Sequence, residues 1–261
     1  MMHGSSLIEL ALRRERLLVL AALALVVVVS WGHLLTGAGM QHEMGGTLMP
    51  MSSGPWTLGH VLVVVVMWIA MMAAMMLPSA TPMVLFHAAI ARQRRAGSAP
   101  AGTSSGAFVL GYLAIWVLFS IAATALQYAL ERLALLSPMM QTTSIFLAGA
   151  ILVAAGVYQW TPLKRDCLQR CRSPLAFVMA HWRDGASGAF AMGARHGAVC
   201  LGCCWLLMLL LFIGGVMNLS WIAGIAVFVA VEKLVPAGHR VSRAAGVLLV
   251  AWGLATWLST T

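Results

Sequence analysis

Long apolar runs alternate with short polar segments along the whole chain. Seven runs can be drawn, at about 17–36, 57–77, 107–129, 143–161, 197–216, 218–235 and 244–258. An α-helix rises about 1.5 Å per residue, so roughly 20 residues cross a hydrocarbon core of about 30 Å. The first five runs reach that length or come within a residue of it, and the last two are shorter. Inside hydrocarbon every backbone N–H must be satisfied within its own segment, which leaves helices as the form these runs take. The pattern predicts an all-α polytopic membrane helix bundle of about seven transmembrane helices. The first run resembles a signal peptide in position only. Val26 to Leu35 continues as Ser-Trp-Gly-His-Leu-Leu with no small-residue cleavage site, so it is expected to remain as a span.

Composition agrees: 61% of the residues are hydrophobic and 9% charged, far from a soluble protein. A length of 261 residues is read as one bundle, 1–261, whose connections hold no second domain. The net charge of +9 does not indicate nucleic acid, because the basic residues sit in clusters between apolar runs. Arg13, Arg14 and Arg16 precede the first run, and Arg92, Arg94 and Arg95 follow the second. Lys164, Arg165, Arg170, Arg172, Arg183 and Arg195 follow the fourth, and Lys233, Arg240 and Arg243 follow the sixth. Only Arg132 falls in an alternate connection. Basic connections stay in the cytoplasm, which predicts a cytoplasmic N-terminus and a C-terminus outside.

Candidate chemistry concentrates in the fifth run. At about 100° per residue, His196, Cys200, Cys203 and Cys204 share roughly a third of the helix circumference, and Met208 continues the stripe. Thiolates and thioethers select Cu(I), and thiolates with imidazole also suit Zn(II). Buried Cys and Met are equally ordinary packing residues, so the convergence of five on one face carries the argument. Three donors within one turn of one helix do not make a tetrahedral site, so Cys167, Cys171 or another chain is needed to complete it. Cys167 and Cys171 stand four residues apart in a segment expected as an inner basic loop, 162–195. Within it, 173–195 is expected to carry an amphipathic helix, and Gly185 to Gly193 a flexible join.

The second run carries His60, Met67, Met71 and Met75 on one face, with Met72 and Met76 beside it. Such a row of thioethers could hand Cu(I) along the helix. Pro78 and Pro82 are expected to interrupt the hydrogen-bond ladder near its inner end. The connection before it, 33–56, is expected as an outer loop for metal capture, with His33, Met40, His42, Glu43, Met44, Met49 and Met51. Glu232 and Lys233 point about 100° apart and are not natural mutual partners. They are expected at headgroup level, since a deeper carboxylate would need a cation or a metal.

Several strings resemble a bacterial family of unknown function described as predicted metal-binding integral membrane proteins. They are Met71-Met72-Ala-Ala-Met75-Met76-Leu-Pro78, Tyr158-Gln159 with Pro162-Leu-Lys164, and Cys167 to Pro174. To these are added His196-Gly with Cys200-Leu-Gly-Cys203-Cys204-Trp205, Gly214-Gly215-Val-Met217-Asn218 and Glu232-Lys233. The resemblance implies metal binding and a multi-pass place in a bacterial inner membrane, and brings no reaction with it.

The function expected is binding of a soft metal, Cu(I) before Zn(II), for transport or delivery. No nucleotide-binding loop is present for an ATP-driven pump, and a non-enzymatic role is favoured. The partners expected are the lipid bilayer and a metallochaperone or metalloenzyme, with further copies of the chain as an option and no nucleic acid. A membrane thiol oxidoreductase using Cys200 and Cys203 is the first alternative, although thiols on the cytoplasmic side are kept reduced. A structural or assembly subunit is the second.

Overall fold

The computed structural model describes residues 3–36, 41–44, 47–50, 56–94, 101–137 and 140–259. Helix α1 (His3–Leu35) leads to an antiparallel hairpin of β1 (Gln41–Met44) and β2 (Thr47–Pro50), with Gln41 opposite Pro50. Helices α2 (Leu58–Arg94), α3 (Ala101–Arg132), α4 (Ile145–Tyr158), α5 (Pro162–Arg172) and α6 (Pro174–His181) follow. The chain ends with α7 (Gly185–Leu209), the single turn α8 (Leu211–Gly214), α9 (Leu219–Leu234) and α10 (Gly238–Leu258). The expected helical class is what forms. The hairpin occupies part of the expected outer loop, of which Met40 and Met51 lie outside the described residues.

Among the described residues, five helices are long and apolar enough to cross a membrane. Their apolar stretches lie within Arg16–Leu35, Leu58–Arg94, Ser104–Arg132, Gly185–Gly214 and Gly238–Leu258. The fourth expected span is instead a broken one: α4 and α5 meet at a 64° bend. The cause is local. Thr161 caps α5 by accepting from the Lys164 N–H at 3.2 Å, while its hydroxyl donates to Tyr158 O at 2.8 Å. Pro162, without an N–H, suits the first turn of a helix, where no intrahelical bond is lost. The sixth expected span is α9, whose sixteen residues make about 24 Å of helix, short of the hydrocarbon thickness.

Side-chain contacts sort the helix ends into two groups. At one end Trp56 donates to Glu131 at 2.8 Å, Thr142 N donates to Phe212 O at 2.7 Å, and Phe146 stacks on Trp257. At the other, Arg94 lies over the Trp182 ring, Arg172 donates to Val235 O and Pro236 O, and Trp160 donates to Arg243 O. Helices α2, α3, α4, α7, α9 and α10 therefore alternate in direction, and the second end gathers Arg94, Lys164, Arg165, Arg170, Arg172 and Arg240. Exposed Leu and Val side chains, such as Leu25, Val28, Leu118 and Leu248, cover the flanks, where lipid supplies the contacts that water would not.

Three local expectations are corrected. Residues 162–195 are not an open loop but α5, α6 and the start of α7. Gly185 to Gly193 is helical, and small residues let its backbone touch α3: a Cβ on Gly193 would lie 1.9 Å from Phe108 O, and one on Gly111 of α3 would lie 2.0 Å from Phe190 O. The α3–α7 contact is thus of the small-residue kind that membrane helices use. Helix α2 runs unbroken through Pro78 and Pro82. Hydroxyls serve that stretch, with Ser79 donating to Met76 O at 2.9 Å, Thr81 to Leu77 O at 3.0 Å and Tyr112 to Met76 O at 3.3 Å. A tight turn forms at Gly214–Asn218, with Gly215 at φ +90° and Asn218 capping α9 by accepting from Trp221 N.

Candidate metal centre

Helix α7 places Cys200, Cys203 and Cys204 in the protein interior, each about 1% exposed. The thiols of Cys203 and Cys204 both donate to Cys200 O at 3.0 Å, the back-bond available to a short polar side chain within one turn of its helix. Cys200 makes further contacts of its own. Its Sγ accepts from Lys233 Nζ at 2.9 Å and lies 3.1 Å from the Tyr112 hydroxyl. Lys233 also reaches Ser79 Oγ at 3.4 Å and Met76 Sδ at 3.9 Å. Four helices, α2, α3, α7 and α9, therefore meet at one sulfur.

A fourth thiol comes from α5. Cys171 interacts with the side chains of both Cys200 and Cys203. Cys167, one turn earlier, rests on the backbone of Gly202, where a Cβ would lie 3.0 Å from its Sγ. Two contacts fix α5 in place. Lys164 and Glu232, each 1% exposed, form an ion pair at 2.8 Å, and Ser242 donates to the second carboxylate oxygen at 2.6 Å. Tyr158, at the end of α4, donates to Gly202 O on α7. Glu232, expected as a headgroup-level charge, is a carboxylate buried within the protein and satisfied by a cation from α5. Lys233, adjacent in sequence, points to the thiols instead.

The remaining expected residues divide. His196, one turn before Cys200, is 3% exposed, stacks on Tyr112 at 5.8 Å and has an Nδ1 with no hydrogen-bond partner. Met67, Met71 and Met75 are buried in α2 together with Met72 and Met76, and Met76 ends the row against Lys233. His60 and Met208 stand apart from the thiols. His60 packs edge-on against Trp56 at the far end of α2, sixteen residues or about 24 Å from Met76. Met208 is buried two helical turns beyond Cys200. Lys233 and Tyr112 were not legible as site residues. Lys233 carried a signal, an ammonium at the close of a long apolar run, whereas Tyr112 carried none.

Among the described residues, no three His, Cys, Asp or Glu donors already converge as a metal cage. The donor chemistry is nonetheless that of a soft ion: three buried thiols and the half-buried Cys171, a thioether, and an imidazole with a free nitrogen. Rotation of Cys203 and Cys204 off the Cys200 carbonyl would release two weak S–H donors.

A helical bundle with spans for a membrane and a buried thiol cluster defines the class: a membrane-type helical protein with a soft-donor centre. Residues 65–256, about three quarters of the chain, match the model of the PpoB2 family, described as a copper chaperone, and the chain belongs to that family. The match bears out the expected metal-related family and points to copper. No curated protein and no solved structure matches the chain.

Proposed function

We propose that the protein carries Cu(I) within a membrane and delivers it to an acceptor metalloprotein. One observation supports this above the rest: Cys171 from α5 reaches Cys200 and Cys203 of α7, supplying the donor that one helix alone lacks. Cu(I) is preferred over Zn(II) because the approach to the thiols is lined by thioethers, which zinc sites do not use. The route begins at the His/Met hairpin, follows Met67, Met71 or Met72, and Met75 or Met76, and ends at Cys200. The thiols are the holding site, and the acceptor, a metallochaperone or metalloenzyme, docks at the basic end. In this reading the protein is a multi-pass component of a bacterial inner membrane with the basic helix ends facing the cytoplasm.

The test is metal content of the reduced, detergent-purified protein loaded in turn with Cu(I) and Zn(II), beside a Cys200→Ala/Cys203→Ala/Cys204→Ala variant. Copper near one equivalent in the parent and absent from the folded variant is expected. Equal metal in both would end the proposal.

A further inference from the structure

The basic end holds a cavity of about 460 Å³ between α5 and the start of α10, separate from the thiols. Lys164, Arg165, Arg172, His239 and Arg243 line it, and no Asp or Glu does. Lys164 is neutralised by Glu232, and Arg172 is held on Val235 O and Pro236 O. Among the described residues Arg165 and Arg243 make no ion pair, which leaves the cavity with an uncompensated positive charge. Basic connections alone would be explained by membrane topology, but one neutral residue is not. Gln159 is 4% exposed, lines the same cavity, and both its Nε2 and its Oε1 lack a hydrogen-bond partner. Leaving a buried amide unpaired carries its desolvation cost in full, so a ligand that satisfies both ends is favoured.

We infer that this cavity binds a phosphate group with a hydroxyl beside it, as in the phosphoglycerol headgroup of an anionic lipid or in a soluble phosphate ester. Arg165 and Arg243 neutralise the phosphate, which guanidinium planes contact in bidentate fashion. Gln159 Nε2 donates to a phosphoryl oxygen, and Oε1 accepts from the hydroxyl. The exposed Trp160 ring at the rim suits the interfacial depth at which headgroups lie. Basic pockets on the cytoplasmic side of helix bundles serve anionic headgroups in this way. Because Lys164 lines the cavity and also ties α5 to Glu232, an occupant would brace the helix that carries Cys171.

Thermal unfolding of the full chain in nanodiscs of phosphatidylglycerol against phosphatidylcholine tests the inference. A detergent series with glycerol 3-phosphate or inorganic phosphate runs beside it. A ligand bound only by the folded state raises the midpoint, here by about 2–4 °C. The parent should show that rise with phosphatidylglycerol, and Arg165→Gln/Arg243→Gln should lose it. Arg170→Gln/Arg183→Gln removes the same charge from exposed residues outside the cavity and should keep it. A rise produced by glycerol 3-phosphate alone identifies a soluble ester as the occupant, and a rise confined to the lipid identifies the headgroup. Gln159→Leu should fold at least as well as the parent in phosphatidylcholine and gain less from phosphatidylglycerol. No difference between lipids together with no response to either phosphate, or equal loss in both arginine pairs, would overturn the inference.

Discussion

Lys233 Nζ donates to Cys200 Sγ at 2.9 Å, so a cation already stands where the first metal–sulfur bond would form. A copper ion arriving at Cys200 must displace it, and Ser79 Oγ, 3.4 Å from Nζ, is the nearest place for the ammonium to go. The chain contains two lysines, Lys164 and Lys233. With ¹⁵N-lysine labelling, Cu(I) loading should move one Nζ resonance and leave the other, held by Glu232, in place. Cys200→Ser should abolish the movement, and two unmoved signals would show that Cys200 is not the ligand.

Cys171 and Cys167 differ in where they point, and that difference is measurable. Cys171 meets the α7 thiols whereas Cys167 sits on Gly202. Replacing Cys171 by Ser should weaken Cu(I) affinity by at least the ten- to hundred-fold, roughly, that loss of even an outer partner costs. Cys167→Ser should stay within a few-fold of the parent. Competition with a chromogenic Cu(I) chelator reads both.

The methionines of α2 are assigned to passage rather than storage. Met and Leu are close in volume, so Met71→Leu/Met75→Leu should cost less than about 1.5 kcal/mol of stability per site. Copper stoichiometry at the thiols should be unchanged, while the rate of loading from the hairpin side falls. Stopped-flow loading of proteoliposomes distinguishes this from a packing role, in which neither quantity moves.

The ion pair between Lys164 and Glu232 holds α5 against the bundle at 2.8 Å in full burial. Removing one partner of such a pair typically costs about 3–5 kcal/mol, because the other charge is left uncompensated. Glu232→Leu alone should therefore destabilise the fold strongly, and Lys164→Met/Glu232→Leu should recover most of the loss. Chemical denaturation in mixed micelles reads the cycle.

The periodicity of apolar runs carried the helical class, and the alternation of basic clusters anticipated which helix ends lie together. The thiol stripe of α7 was visible because helical spacing alone places Cys200, Cys203 and Cys204 on one side. The break at Pro162 was less visible, since hydropathy averages over a bend that a proline and a capping threonine impose locally. The helical state of Gly185 to Gly193 was hidden for the opposite reason. Gly193 weakens a helix in isolation, and the backbone of α3 packed against it supplies contacts that no local pattern shows. Tyr112 and the destination of Lys233 depend on which helices are neighbours, a long-range fact that no local pattern encodes.

Three of the four clustered thiols belong to one helix and the fourth to a short segment hinged at 64° to the helix before it. In coordination terms this is a fixed chelate with a detachable arm. On the proposed reading such a division would separate tightness from speed: the ion would be gripped while the arm is down, and tilting eleven residues against the Lys164–Glu232 tie would open the coordination sphere without unwinding any span. An acceptor offering its own thiolate at the basic end would need only to take the arm's place.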